Sequence, residues 1–200
     1  GKPAWYFYGY KYTGIDEATG NPTFADLNDD NAITEADKTM IGKGIADMTY
    51  GITLTAAWKG LDLIVFGTGS YGAHIYSCLN RPDYTLNKLT YFVEDRWTPS
   101  HTKASMPRAG ATDMDKYYTS SASVFDGSYF KIKQIQLGYT FPQKWMKTIK
   151  VSNLRVYASL DDFFTFSDYP GFDPEVTNMG VDKGTFPTSK KVVAGVSITF

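Results

Sequence analysis

The sequence predicts an all-β chain of antiparallel up-and-down strands of the transmembrane-barrel kind. Three observations predict it. Apolar residues recur with a period of two in several runs of about ten residues, which marks strands with one apolar face. The aromatic load is high, with 15 Tyr, 13 Phe and 4 Trp in 200 residues, and aromatic side chains favour strands. The connections between runs alternate between long and short, as the outer loops and periplasmic turns of an outer-membrane barrel do.

The clearest run extends from Met48 to Tyr71. Tyr50, Ile52, Leu54, Ala56 and Trp58 alternate with Gly51, Thr53, Thr55 and Ala57, and Leu61, Leu63 and Val65 resume the pattern after Lys59-Gly60. A two-residue hairpin sets Trp58 against Leu61, Ala56 against Leu63 and Leu54 against Val65, so the apolar residues share one face. The reverse face, with Ala57 against Asp62 and Thr55 against Ile64, is mixed.

Tyr129–Phe141 is apolar at even positions (Phe130, Ile132) and then at odd ones (Ile135, Leu137, Tyr139, Phe141). The phase flips near Lys133-Gln134, which predicts a β-bulge there. Leu154, Val156, Ala158, Leu160, Phe164 and Phe166 form a further stripe, and Val192, Ala194, Val196, Ile198 and Phe200 another. Trp5–Tyr12 reads as a sixth strand, with Tyr6, Tyr8, Tyr10 and Tyr12 on one face. The connections are then 13–47, 59–60, 73–125, 142–153 and 167–189. Within the longest of them, 84–97 has the pattern of a short helix.

Six strands are too few to close a membrane barrel, since the smallest use eight. The chain is therefore expected to be either the C-terminal portion of a larger barrel or a unit that pairs its open edges with other strands.

Composition excludes several classes. A net charge of −1, from 20 Lys plus Arg and 21 Asp plus Glu, offers no basic face for nucleic acid. A single cysteine, Cys78, rules out an intrachain disulfide framework. No stretch approaches the ~20 apolar residues of a transmembrane helix, which leaves membrane-spanning strands open.

One motif has specific spacing. Asp26, Asn28 and Asp30 stand at positions 1, 3 and 5 of a loop in which Ala32 offers a carbonyl at position 7 and Asp37 a carboxylate at position 12. This is the oxygen pattern of a calcium loop, and a structural Ca2+ is expected. It departs from the EF-hand twice: Asn31 replaces Gly at the sharp turn, and Asp37 replaces the longer Glu. The competing reading is an Asx-rich turn followed by a short helix capped by Thr34.

No catalytic constellation stands out. Glu94-Asp95 and Asp161-Asp162 are the carboxylate pairs a glycosidase would need, but neighbours on a strand point to opposite faces. His74 and His101 lack a recognisable Ser or Cys partner. The strand aromatics suit interfacial girdles; Trp97, Tyr117 and Tyr118, in a loop, suit packing or ligand stacking equally.

The residues also resemble a family. Trp5-Tyr6-Phe7-Tyr8-Gly9-Tyr10-Lys11-Tyr12, the Asp26–Asp37 loop closing in Ile41-Gly42, the hairpin from Thr49-Tyr50-Gly51 to Leu61-Asp62-Leu63, and Gly69-Ser70-Tyr71-Gly72 are similar to the C-terminal part of SusC/RagA-type TonB-dependent outer-membrane transporters. Arg96-Trp97-Thr98-Pro99, Asp126–Lys133, Leu137–Pro142, Ser152–Ser159, Phe163–Phe166, Gly171–Glu175 and Phe200 continue the likeness in order, so that it covers residues 1–200.

The resemblance implies a 22-stranded barrel in the outer membrane of a Gram-negative bacterium. It implies import of a glycan or peptide with energy from TonB, and a SusD-like surface lipoprotein as lid. The plug and the TonB-contacting segment would lie outside this chain. Phe200 matches the terminal aromatic read by the barrel-assembly machinery, and residues 13–47 and 73–125 would be outer loops. Membrane lipid would be a further partner, and no enzymatic role is implied. The alternative is a soluble, calcium-stabilised β domain that binds carbohydrate, as an adhesin might.

Overall fold

The structure is a computed structural model that describes residues 1–83, 89–148, 150–176 and 179–200. Its strands are β1 (Tyr6–Tyr10), β2 (Tyr12–Ile15), β3 (Pro22–Phe24), β4 (Lys38–Lys43), β5 (Met48–Trp58), β6 (Leu61–Tyr71), β7 (His74–Ser77), β8 (Val124–Asp126), β9 (Tyr129–Thr140), β10 (Asn153–Phe166), β11 (Val181–Asp182) and β12 (Lys191–Thr199). Short helices α1 (Thr90–Glu94), α2 (Met114–Tyr118) and α3 (Gln143–Thr148) lie in the connections. The helix expected over 84–97 is α1; residues 84–88 of that expectation lie outside the described residues. Among the described residues no helix is long and apolar enough to cross a membrane.

The chain divides into two units. The strand unit comprises Met48–Ser70, Tyr129–Ser167 and Thr188–Phe200; the loop unit comprises Gly1–Asp47, Tyr71–Ser128 and Asp168–Pro187.

The strand unit is a five-stranded antiparallel sheet in the order β12-β10-β9-β6-β5. The β5–β6 hairpin falls where the alternation places it. Its turn residues Lys59 (φ 47°) and Gly60 (φ 90°) are both left-handed, the backbone that matches the twist of a two-residue hairpin. Register aligns the stripes into rows: Leu63 with Leu137, Ala158 and Ala194, and Val65 with Ile135, Leu160 and Val192. The opposite face carries Asp62, Gly138, Tyr157 and Gly195 in one row and Ile64, Gln136, Ser159 and Val193 in the next.

The bulge forms at the predicted phase flip. On the β6 side Phe66 pairs with Gln134 and Gly67 with Ile132, so Lys133 has no opposite residue. On the β10 side Asp161 pairs with Gln134 and Phe164 with Ile132, leaving Asp162 and Phe163 against Lys133. Asp162 takes a left-handed φ of 59°, and its carboxylate lies 3.1 Å from Lys133 Nζ and 3.8 Å from the buried Lys131. The extra residue thus returns Phe130 and Ile132 to the apolar face.

The run Trp5–Tyr12 corrects the expectation of a sixth strand in this sheet. Tyr6–Tyr10 pairs instead with Lys38–Lys43 in the loop unit, and Tyr12–Ile15 pairs with Pro22–Phe24. At five and four residues, neither reaches the roughly 9–11 residues that span a bilayer. The loop unit has a core of its own, with Tyr10, Ile75, Leu79, Phe92, Tyr117 and Tyr169 buried.

Candidate functional site

Among its described residues the strand unit buries one large apolar side chain, Met146, and has no such core. On its apolar face Leu54, Leu137, Val192, Val196 and Ile198 are all more than half exposed. A row of this kind in water would cost about 25 cal/mol for each Å² left wet, so the face is built for an apolar medium. Aromatic rings close both ends. At one end Tyr50 stacks on Phe130 at 6.1 Å and Phe130 on Phe166 at 6.4 Å. At the other, Tyr139 meets Phe141 at 5.0 Å and Phe141 meets Trp145 at 6.3 Å. Phe130 to Tyr139 covers about 30 Å along the strand, or roughly 23 Å of height at a ~40° tilt, close to the ~25 Å apolar band of membrane barrels.

The reverse face is the more polar of the two, with Ile64 and Val193 among its polar residues, and its Asp62 and Arg155 are paired with each other. Arg155 donates to Asp62 through Nε at 3.0 Å and Nη2 at 2.5 Å, forming a fork across β9. The β9 residue in Asp62's row is Gly138, whose missing side chain leaves room for the pair. A wall with one apolar and one polar face is what an outer-membrane barrel presents to lipid and lumen.

The Asp26–Asp37 loop is the second candidate. Thr34 caps a single 3₁₀ turn, Glu35–Asp37, in a reciprocal capping box, as the competing reading expects. Asp37 is fully buried, and its carboxylate accepts from Leu27 N and Thr34 N, both at 2.8 Å. Asp26 accepts from Asn31 N at 2.7 Å and Asp30 N at 3.3 Å, and Asp30 accepts from Ala32 N at 2.8 Å and Asn28 Nδ2 at 2.8 Å. Asn31 stands in the left-handed region, φ 65°, at the turn position where the calcium pattern has Gly. The backbone therefore fits a cation loop. Its carboxylates, however, are turned onto loop N–H groups, and no three His, Cys, Asp or Glu side chains among the described residues converge as metal ligands.

The Thr34 and Leu27 N–H groups hold the Asp37 carboxyl below the usual carboxylate range. Because the folded value is depressed, this stabilisation is present above the unfolded pKa of about 3.9 and is lost as pH falls through the folded value. We expect amide protection over 26–38, corrected for intrinsic exchange, to be flat from pH 7 to 5 and to collapse at more acidic pH. Asp37→Ala should abolish it at pH 7, and Asp37→Asn, which keeps one acceptor, should retain part of it.

A cavity of about 740 Å³ in the loop unit is lined by Trp5, Tyr6, Phe7, Met179, Val181 and Lys183. Sequence reasoning did not find it, because its two walls are about 170 residues apart in the chain. Of the loop aromatics, Tyr117 is core and half-buried Trp97 donates to Glu17 O at 3.1 Å, so both serve packing.

Three of the four carboxylates, Asp95, Asp161 and Asp162, have structural partners. Asp161 accepts from Ser159 and Asp162 meets Lys133. Asp95 accepts from Ser105 N at 2.9 Å and lies 2.7 Å from His101 Nε2, contacts that hold its pKa down to about 2, Ser105 contributing most. Cys78 is buried. Phe200 is exposed and follows β12 in the apolar stripe.

Comparison with known proteins agrees with this geometry. No family model matches the chain. It is 30% identical to TonB-dependent receptor P3 of Formosa agariphila, over 97% of this chain and 22% of that protein. It is 27% identical to TonB-dependent receptor SusC of Bacteroides thetaiotaomicron, over 96% of this chain and 19% of that one. Among solved structures, the RagAB peptide transporter superposes with a TM-score of 0.82 at 25% identity, covering 98% of this chain and 23% of that one. The chain thus spans about a fifth of the length of the relatives it matches.

The class these findings define is the TonB-dependent outer-membrane receptors, built on an antiparallel β-barrel. Within that class the chain is similar to the SusC and RagAB proteins, and its place is the outer membrane of a Gram-negative bacterium. The relatives are receptors and transporters rather than enzymes, and the soluble adhesin-like alternative is not favoured.

Proposed function

We propose that the chain supplies C-terminal barrel strands and outer loops to a nutrient importer that takes up a glycan or a peptide. The whole protein works with TonB and with a SusD-like lipoprotein lid. Ligand is captured between outer loops and lid, and a plug segment outside this chain moves under TonB force to admit it. The observation that carries the reading is the sheet's unpartnered apolar face with aromatic rings at both ends. Residues 13–47 and 73–125 contribute loop contacts, and the Trp5–Lys183 cavity, with its aromatic and aliphatic walls and one ammonium, is a candidate surface for the ligand.

The test is fractionation of the native gene product together with its intact mass. A species several times 22.3 kDa, released from outer membranes only by detergent and lost from them when the gene is deleted, is the expected result. A monodisperse 22.3 kDa protein in plain buffer would overturn it.

The same reading gives the Asp26–Asp37 loop a structural Ca2+, held by Asp26, Asn28, Asp30, the Ala32 carbonyl and Asp37. The ligand spacing and the left-handed Asn31 support it. Binding requires the Asp26, Asp30 and Asp37 carboxylates to exchange some loop N–H donors for the ion. Calorimetric titration of chelator-stripped full-length receptor with Ca2+ should show a binding isotherm that Asp30→Ala removes, and calcium at a hundred times Kd should add about 2.7 kcal/mol to loop stability. An absence of binding heat, with chelator leaving loop protection unchanged, would reject the ion.

A further inference from the structure

At the end of the sheet where β5 meets β6 and β9 meets β10, the connections are short and basic. Residues 141–153 contain Lys144, Lys147 and Lys150 and no Asp or Glu. Within α3, Met146 is buried while Trp145 stays at the surface, 59% exposed. That exposure is directed: the Trp145 ring continues the row Tyr139–Phe141 on the apolar face of the sheet. The neighbouring hairpin adds a second basic and aromatic pair. Lys59 Nζ lies 4.8 Å from the Trp58 ring, and Gly60 O accepts from Thr140 N at 2.8 Å, which ties this turn to the same row.

The positive charge here is not neutralised by the protein. Lys59, Lys144, Lys147 and Lys150 are exposed, and none forms an ion pair with a described residue; the acid on the polar face nearby, Asp62, is taken by Arg155. Four ammonium groups thus flank aromatic rings at the edge of an apolar band. Indole rings settle at the boundary between hydrocarbon and headgroups, and lysine stems lie along apolar surface while their ammonium groups reach outward. A phosphodiester is the group found at that depth.

We infer that this turn surface binds the headgroups of anionic glycerophospholipids in the leaflet on the short-turn side of the membrane. The inference rests on the reading of the sheet as a lipid-facing barrel wall. Each lysine near an anionic surface contributes about fivefold in binding, so removal of three should weaken it by at least tenfold.

The experiment is native mass spectrometry of the full-length receptor, titrated in detergent with phosphatidylglycerol, phosphatidylcholine or lipid A. Wild type should retain phosphatidylglycerol in preference to phosphatidylcholine. Lys144→Gln/Lys147→Gln/Lys150→Gln should weaken that retention at least tenfold, Trp145→Ala should weaken it with charge unchanged, and Lys2→Gln/Lys11→Gln/Lys103→Gln in the loop unit should leave it intact. Equal retention of both glycerophospholipids, equal loss in the two triple variants, or retention of lipid A alone would overturn the inference. Heat-modifiable migration of each variant reports a folded barrel. If wild type lacks it and needs no detergent, the barrel reading itself fails, which is a separate outcome.

Discussion

Replacing Ile135 by Arg in the full-length receptor will destabilise the folded barrel by about 2–4 kcal/mol, the cost of a guanidinium near the middle of the lipid-facing band. Ile135 sits in the row Val65–Ile135–Leu160–Val192, midway between the two aromatic ends of β9. The neighbouring Gln136 lies on the polar face between Ile64 and Ser159, and Gln136→Arg should cost less than about 1 kcal/mol, because a lumen-side charge keeps its water. The contrast is the informative quantity. Urea-unfolding midpoints in lipid bilayers would measure it, and equal costs at the two positions would contradict the assignment of faces.

The second large effect belongs to the loop unit. At Gly9, β1 passes directly beside residues 119–120: Tyr10 N donates to Thr119 O at 3.3 Å, and Tyr10 bridges Ser120 in parallel. A Cβ at Gly9 would fall onto the Thr119 carbonyl oxygen and lie 2.9 Å from Ile41 Cδ1. The obstacle is backbone, which cannot rotate away as a side-chain tip can. Gly9→Val should therefore cost about 3 kcal/mol, at the upper end of overpacking, and break the join between the first segment of the loop unit and its second. Hydrogen exchange over 6–10, 38–43 and 114–126 should rise at least tenfold while the barrel keeps its heat-modifiable migration. Unchanged exchange would show that the join yields without cost.

Local signals were legible and non-local ones were not. The Met48–Tyr71 hairpin was readable because its period, turn and partner all lie within 24 residues. The bulge was readable because one extra residue, Lys133, inverts the alternation on either side of it. Trp5–Tyr12 shows the limit: its period of two marks extended backbone correctly, but the partner strand Lys38–Lys43 mixes lysines with Met40 and Ile41 and has no alternation to announce it. The short strands β7, β8 and β11, at four, three and two residues, carry too few side chains for any period.

The same distinction holds for the candidate sites. The Asp26–Asp37 oxygens are visible in sequence because they fall within twelve consecutive residues, and Thr34 announces its own cap. Whether the carboxylates face an ion or the loop's N–H groups depends on side-chain rotation, on which spacing is silent. The basic turn at Lys144–Lys150 is visible as composition, but its meaning depends on the Tyr139–Phe141–Trp145 row that places it at the edge of the apolar face.

The barrel assignment rests most directly on which face of β9 meets lipid. With Cys78→Ser as background, single cysteines at Gln134, Ile135, Gln136, Leu137, Gly138 and Tyr139 of the full-length receptor, each carrying a fluorophore in bilayers containing brominated lipid, measure that contact residue by residue. Quenching should alternate with a period of two, strong at Ile135, Leu137 and Tyr139 and weak at Gln134, Gln136 and Gly138. Uniform quenching, or none at any of the six, would contradict a membrane-spanning strand.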